Sequence, residues 1–151
     1  QFAKTGAKEK TKKFDINLLI QSITDKFNKA EISFNSKSEI LYEGRKELLK
    51  RCFSNLIENA LKYGNKVNIE IKKLRKDLMI TIDDDGPGID ENEYENVFKP
   101  FYKIDKSRSE TKNSVGLGMS ISSDITRSHG GRIDLDKSSM GGLRVKVFLP
   151  F

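Results

Sequence analysis

The sequence has a single cysteine, a single histidine and no long apolar run. The lone cysteine, Cys52, excludes an internal disulfide and a cysteine-rich metal site. No segment approaches the roughly 18 consecutive apolar residues of a membrane-spanning helix, and a chain that opens on Gln1 shows no signal-peptide pattern. At 151 residues the chain is long enough for one compact domain with a buried core. We therefore expect a soluble domain in which Cys52 is an inert core thiol.

Positive charge is in slight excess and is unevenly distributed. The 28 Lys and Arg against 22 Asp and Glu give a net charge of +6, and residues 1–13 alone carry +4. Such a tail can bind nucleic acid or a membrane surface, although a solvated linker is the favoured interpretation. Residues 83–95 hold seven acids and no base, whereas residues 99–112 hold five bases and two acids. These adjacent segments suit a nucleotide, because its base and its phosphates need opposite local fields.

Hydrophobic periodicity predicts an α+β fold. Apolar residues at spacings of three and four predict helices over residues 14–27, 45–63 and 116–129. Asp15 is positioned to cap the first helix, and Gly64 to end the second. Strict alternation predicts strands around residues 67–71, 78–82, 133–135 and 145–149.

The remaining segments complete the predicted architecture. We expect an extended stretch over residues 31–42, a short helix over 91–98 and a loop over 102–115. The strands are not linked by the helical crossovers of a parallel sheet. The predicted fold is therefore a two-layer α+β sandwich, with a mixed, mostly antiparallel sheet covered on one face by helices.

One face of the helix predicted over residues 45–63 is polar. It carries four side chains at i, i+3, i+4 and i+7, namely Asn55, Glu58, Asn59 and Lys62. A solvated face would explain Glu58 and Lys62, but two asparagines in mid-helix are less ordinary, since Asn is a poor helix former. An amide oxygen can ligate Mg²⁺ beside substrate phosphates, so a metal site is the functional alternative.

Two glycine-containing turns are further candidates. The segment Asp83-Asp84-Asp85-Gly86-Pro87-Gly88 is either a tight turn or a site where one carboxylate accepts from an exocyclic amine such as that of adenine. Its glycines would let the backbone approach a flat ring. Gly116-Leu117-Gly118, at a predicted helix start, would expose N–H groups to an anion. It is neither a dinucleotide fingerprint nor a P-loop, because no strand precedes it and GK[ST] is absent.

Five segments, taken in order and spacing, resemble the catalytic ATP-binding domain of sensor histidine kinases. They are NLIENALKYG (55–64), DDDGPGI (83–89), VFKPFYKID (97–105), VGLGM (115–119) and GGL (141–143). This domain is of the Bergerat type shared with gyrase B, Hsp90 and MutL, and the wording of several segments is similar to EnvZ-type osmosensors. The resemblance covers about residues 14–151. It implies that residues 1–13 are a linker or the stub of a preceding dimerisation helix.

The resemblance implies ATP and Mg²⁺ as ligands and assigns site residues by position. It assigns Mg²⁺ to Asn59 and Asn55, and the catalytic role to Glu58 and Asn55. The adenine side of the site is assigned to Tyr63, Asp84, Gly86, Gly88 and Ile89. The phosphate side is assigned to Lys62, Lys103 (with Lys106 as a substitute), Arg108, Gly116, Leu117 and Gly118. Phe98, Pro100 and Phe101 match the box that anchors the lid. Ser114-Val115 stands where the family usually has Gly-Thr, so one possible phosphate hydrogen bond is lost.

The resemblance also implies a reaction and partners. The γ-phosphoryl group of ATP would pass to a histidine on a separate dimerisation domain and then to an aspartate of a response regulator. The sole histidine, His129, lies at a predicted helix end before Gly130-Gly131, so we assign it a structural role. The full-length protein is expected to be a membrane-bound homodimer in a bacterial inner membrane, with this domain in the cytoplasm and no nucleic acid bound.

Three alternatives remain from the sequence. The first is a serine kinase of the anti-sigma-factor type, against which the phenylalanine box at residues 97–105 argues. The second is a non-kinase Bergerat ATPase. The third is a nucleic-acid binding module that uses the lysine-rich tail.

Overall fold

Seven strands and three α-helices form the part of the chain that the computed structural model describes, residues 9–27, 31–35, 38–102 and 118–151. The strands are β1 (Lys12–Asp15), β2 (Glu31–Phe34), β3 (Leu41–Gly44), β4 (Lys66–Lys73), β5 (Asp77–Asp84), β6 (Arg132–Lys137) and β7 (Leu143–Pro150). The helices are α1 (Ile16–Thr24), α2 (Lys46–Tyr63) and α3 (Gly118–Ser128). Within the described ranges, no helix is both long and apolar enough to cross a bilayer.

The main sheet has five strands in the order β2-β4-β5-β7-β6. The β2–β4 pair is parallel, and the other three pairs are antiparallel. Because side chains alternate along a strand, one face of the sheet presents apolar residues that are buried against the helices, such as Ile69, Ile80 and Val147. This arrangement confirms the predicted α+β fold with a mixed, mostly antiparallel sheet.

A second, two-stranded sheet corrects the predicted first helix. β1 pairs with β3 in antiparallel register, and Phe14 packs edge-on against Tyr42 with ring centroids 6.3 Å apart. The helix that was expected from Phe14 therefore begins at Ile16, because the chain before it is used as a strand. The predicted cap is confirmed, since Asp15 Oδ1 accepts from Asn17 N at 3.0 Å. A strand of four residues is too short to show a clear alternation in sequence.

The segment after β5 also differs from its prediction. Two separate 3₁₀ turns, Glu91–Glu93 and Asn96–Phe98, replace the short helix expected over residues 91–98. Glu91 and Glu95 would lie one turn apart on an α-helix, where like charges are unfavourable. Of the loop predicted over residues 102–115, Tyr102 alone falls within the described residues.

Helix α2 forms the centre of the core. Leu49, Phe53 and Ile57 are fully buried on its apolar face. Cys52, also fully buried, faces α3, with its Sγ 3.6 Å from the carbonyl oxygen of Ser122. Burial raises the pKa of the Cys52 thiol to about 11, so it stays protonated and unreactive. The prediction of an inert core thiol is therefore confirmed.

The N-terminus of α2 is held by two groups from distant parts of the chain. The carboxylate of Glu9 accepts from the backbone N–H groups of Glu47 and Leu48 at 2.7 and 3.1 Å. His129 Nε2 accepts from Arg45 N at 3.0 Å, and its Nδ1 lies 2.9 Å from the Ile125 carbonyl oxygen, to which it donates. The imidazole thus joins the end of α3 to the start of α2, which supports the structural role predicted for it.

The geometry of His129 predicts an acid-sensitive stability. Burial lowers the pKa of His129 and the Arg45 charge lowers it further, while the hydrogen bond to Ile125 and the Glu9 charge oppose the shift. The neutral ring is thus favoured by folding, so its stabilisation is present above pH 6.5 and is lost as the pH falls through the lower folded-state pKa. We expect the free energy of unfolding from urea titrations to fall from pH 7 to pH 5, and to fall less in His129→Gln. At pH 7 this substitution should cost about 1 kcal/mol, because the glutamine amide oxygen can still accept from Arg45 N but the hydrogen bond that Nδ1 donates to the Ile125 carbonyl oxygen is lost. Equal pH slopes for both proteins would contradict the assignment.

Candidate functional site

A buried carboxylate lies at the end of the central strand β5. Asp84 is its last residue and is only 6% exposed. Its Oδ1 accepts from the backbone N–H groups of Gly86 at 2.9 Å and Leu143 at 3.2 Å. Burial raises the pKa of Asp84, and the charges of Asp85 and Asp83 add to this, while the two N–H groups oppose it. Among the described residues, both hydrogen bonds to this side chain end on Oδ1, which leaves Oδ2 available to accept from a ligand.

The repulsion among the three consecutive acids is offset by separate partners. Asp83 forms an ion pair with Arg144 on the adjacent strand β7, with Arg144 Nε 2.8 Å from Asp83 Oδ1. Asp85 Oδ1 accepts from Asn65 N and Lys66 N at 2.7 and 2.9 Å, and these bonds lower the pKa of Asp85. The outer two acids therefore have structural roles, which leaves Asp84 as the candidate for binding a ligand.

The C-terminal end of α2 lies directly against Asp84. A Cβ added at Gly64 would lie 3.0 Å from Asp84 Cβ, and one added at Gly86 would lie 2.6 Å from the Tyr63 carbonyl oxygen. Both glycines thus permit backbone contacts that a side chain would block. As a result Tyr63, at the end of α2, lies in the immediate neighbourhood of the carboxylate.

The polar stripe of α2 extends from this point toward α3. Asn55, Asn59 and Lys62 are half-buried and Glu58 is exposed. A Cβ on Gly118, the first residue of α3, would lie 3.8 Å from Asn55 Cβ, so the N-terminus of α3 adjoins the other end of the stripe. Residues 55 and 64 are about 14 Å apart along the helix axis. The two amide side chains have the oxygen donors that Mg²⁺ prefers, so this stripe fits such an ion.

The other predicted residues divide between described and undescribed parts of the chain. Gly88 adopts a left-handed φ of 75°, and Ile89 packs partly buried against the core. Phe98 packs against the same core, whereas Phe101 is 67% exposed with a strained φ of 64°. Five predicted phosphate contacts lie outside the described residues, namely Lys103, Lys106, Arg108, Gly116 and Leu117. Their roles stay predictions.

Sequence reasoning missed the contribution of the turn between β6 and β7. It singled out the GGL segment but gave it no role. In the structure Gly142 N donates to the carbonyl oxygen of Asp84 at 3.1 Å, in addition to the Leu143 bond on the side chain. The available signal was a pair of glycines before a strand, which by itself indicates only a turn.

Comparison with known proteins places this geometry in a family. The family described as histidine kinase-, DNA gyrase B- and HSP90-like ATPases matches residues 44–151. The sensor histidine kinase GtrS of Pseudomonas aeruginosa is 33% identical over 147 residues, which cover 97% of this chain and 30% of GtrS. CpxA of Escherichia coli K12, also a sensor histidine kinase, is 33% identical over 108 residues, 71% of this chain and 24% of CpxA. The chain thus spans less than a third of the length of these relatives.

A solved structure agrees with the fold. The ATP binding domain of PrrB from Mycobacterium tuberculosis superposes with a TM-score of 0.78 at 25% identity, covering 94% of this chain and 98% of that one. The sandwich predicted from periodicity is therefore the fold of that ATP-binding domain. Sequence match, coverage and architecture agree, and this chain belongs to the family of histidine kinase-, DNA gyrase B- and HSP90-like ATPases.

Proposed function

We propose that this domain binds ATP with Mg²⁺ and is the catalytic part of a protein-histidine kinase. The observation that carries the proposal is the position of Asp84, a buried carboxylate fixed through one oxygen. It lies at one end of the α2 stripe, whose other end adjoins the N-terminus of α3. The sensor histidine kinases among the relatives support the choice of reaction.

The adenine end of the site follows from the surroundings of Asp84. Its Oδ2 accepts a hydrogen bond from the exocyclic amine of the base. Gly86 and Gly88 shape the wall beside the ring, since neither carries a side chain that would keep the backbone away. Tyr63 and Ile89 supply apolar surface on the same side. Recognition of adenine thus combines one charge-assisted hydrogen bond with packing against a flat ring.

The phosphate end of the site is formed by the polar stripe of α2 and the start of α3. Asn55 and Asn59 would hold Mg²⁺, which when bound would neutralise part of the phosphate charge. The N-terminal N–H groups of α3 and the Lys62 ammonium face the phosphates, because both favour anions. Lys103, Arg108, Gly116 and Leu117 complete this side in the proposal.

The reaction itself needs positioning more than a covalent intermediate on this chain. A histidine nitrogen from the partner domain attacks the γ-phosphorus, a P–N bond forms, and the bond from the γ-phosphorus to the bridging oxygen breaks to release ADP. Glu58, the exposed member of the stripe, accepts the proton that the imidazole gives up as the P–N bond forms. His129 is excluded as the acceptor in this proposal, because both of its ring nitrogens are used in hydrogen bonds.

The proposal also covers the full-length protein to which this domain belongs. Its phosphoacceptor histidine belongs to its own dimerisation domain, and a response regulator receives the phosphoryl group. We propose that this domain lies in the cytoplasm as part of a membrane-bound homodimer, and that the full-length protein is a sensor of the EnvZ osmosensor type. The role of residues 1–13 as linker or helix stub is also proposed, and β1 crosses its boundary because Lys12 and Lys13 already belong to that strand.

Phosphoryl transfer in trans tests the proposed function. The chain is incubated with Mg²⁺, γ-labelled ATP and the dimerisation hairpin of its own full-length protein. We expect acid-labile, base-stable label on the hairpin and none on this chain. A hairpin with its histidine replaced by alanine is the matched control and should stay unlabelled. Label on His129, or acid-stable label on a hairpin serine, would contradict the proposal.

A further inference from the structure

The turn between β6 and β7 is built tightly against Asp84. Leu143 N donates to Asp84 Oδ1 at 3.2 Å, and Gly142 N donates to the Asp84 carbonyl oxygen at 3.1 Å. A Cβ at Gly142 would overlap Asp84 Oδ1 and would lie 2.6 Å from the Asp84 carbonyl oxygen and 2.7 Å from Gly86 N. This turn therefore has room for glycine alone at position 142.

The turn is itself held in one conformation. Ser138 N donates to the Gly142 carbonyl oxygen at 2.8 Å, and Gly141 N donates to the Ser138 carbonyl oxygen at 3.0 Å. Ser138 Oγ accepts from Met140 N at 3.0 Å, and Ser138 is buried. Gly141 adopts a φ of 104°, which closes the turn. The N–H groups that reach Asp84 thus come from a rigid hairpin rather than from a mobile loop.

We propose that Gly142 and Leu143 are positioning residues that set the base specificity of the nucleotide site. This inference rests on the proposed contact between Asp84 and adenine. Two N–H groups, from Gly86 and Leu143, fix Oδ1 and so fix the plane of the carboxylate. Oδ2 then points in one direction as a pure acceptor. Oδ2 therefore favours a base that carries an amine at this position and repels a base that carries a carbonyl oxygen there.

Adenine and hypoxanthine nucleotides distinguish this role from a merely structural one. ADP carries the exocyclic amine, whereas IDP carries a carbonyl oxygen at the same place. Gly142→Ala pushes the turn away from Asp84, so the carboxylate loses its fixed orientation. We expect calorimetry without metal to show ADP affinity at least tenfold lower, with IDP affinity little changed. The ratio of ADP affinity to IDP affinity should therefore fall by about the same factor.

Gly141→Ala is the matched control. A Cβ at Gly141 meets no atom within 4 Å, although its φ of 104° makes any side chain strained. This variant should melt at a lower temperature than the wild type while keeping the wild-type ratio of ADP to IDP affinity. If both alanine variants lowered this ratio equally, the effect would belong to general loosening of the hairpin and the inference would be wrong.

A comparison with Asp84→Asn separates this inference from the proposed function. If Asp84→Asn leaves the ratio unchanged, the adenine contact itself is wrong. If Asp84→Asn lowers the ratio of ADP to IDP affinity and Gly142→Ala does not, only the proposed role of the turn is overturned. If Gly142→Ala acts through the Asp84 carboxylate, the double variant should lose no more of the preference for ADP over IDP than Asp84→Asn alone.

A second measurement needs no variant. Saturating ADP should slow amide hydrogen exchange at Leu143 in the wild-type chain, because the base locks the carboxylate that this N–H group binds. Saturating IDP should slow it less. Unchanged exchange at Leu143 in the ADP complex would overturn the inference even if Gly142→Ala failed to fold.

Discussion

Replacing Asp84 by asparagine is expected to weaken ATP and ADP binding together by about ten- to a hundredfold, because a charge-assisted hydrogen bond is worth roughly 1.5–3 kcal/mol. The amide oxygen of asparagine can still accept from Gly86 N and Leu143 N, so the local fold is kept. The group in place of Oδ2 becomes an NH₂ donor, which opposes the donor of the adenine amine. Calorimetry with each nucleotide measures the loss.

The same substitution should leave the unliganded domain at least as stable as the wild type. Burial raises the pKa of Asp84, so folding favours its protonated form. Its contribution is most favourable below the unfolded-state pKa and is lost as the pH rises through the folded-state pKa. At neutral pH the ionised carboxylate therefore costs stability, and Asp84→Asn removes this cost. A melting temperature that fell in parallel with nucleotide affinity would make Asp84 a structural residue.

Asp85→Asn is the matched control for Asp84→Asn. Its side chain is the next acid along the chain, and it accepts from Asn65 N and Lys66 N rather than facing the proposed site. Asparagine can accept the same two bonds through its amide oxygen. We expect nucleotide affinity to change by less than about threefold, which is below 1 kcal/mol. An equal loss in both variants would point to the summed negative charge and not to a specific contact.

Replacing Asn59 by alanine is expected to lower the nucleotide affinity in Mg²⁺ at least about tenfold, since even outer-shell partners of a metal contribute tenfold or more to its binding. Affinity measured in EDTA should be unchanged, because the proposed role of this side chain is confined to the ion. Alanine is a better helix former than asparagine, so α2 should not be weakened. Calorimetry with and without Mg²⁺ gives the two affinities.

The control for this variant is Asn68→Ala. Asn68 is also a half-buried asparagine, but it lies on β4 in the main sheet and not on the α2 stripe. Its substitution should leave both affinities unchanged. If Asn59→Ala lowered the affinities in Mg²⁺ and in EDTA by the same factor, Asn59 would contact the nucleotide directly and its assignment to the metal would be wrong.

Local patterns in the sequence determined the main elements of this protein. The apolar spacing of α2 and the alternation of β4, β5 and β7 follow from burial of one face, so they are visible without a structure. The polar stripe of α2 is predictable for the same reason, because it is the opposite face of one helix. Asp84 was assigned to the adenine only through the family resemblance, as the acid that precedes the two glycines of DDDGPGI, and its surroundings could not be predicted from that segment.

Contacts between distant segments were decided by the tertiary structure alone. The sequence could not show how the three consecutive acids are held, because Asp83 is paired with Arg144 and Asp84 accepts from Leu143 N, and both partners lie on β7, about sixty residues away. Nor could it pair β1 with β3, or bring Glu9 and His129 to the start of α2. Such contacts depend on strand register and on single backbone N–H groups, and neither leaves a periodic signal in sequence. The proposed binding carboxylate, Asp84, was assigned from the sequence, whereas its orientation depends on the fold.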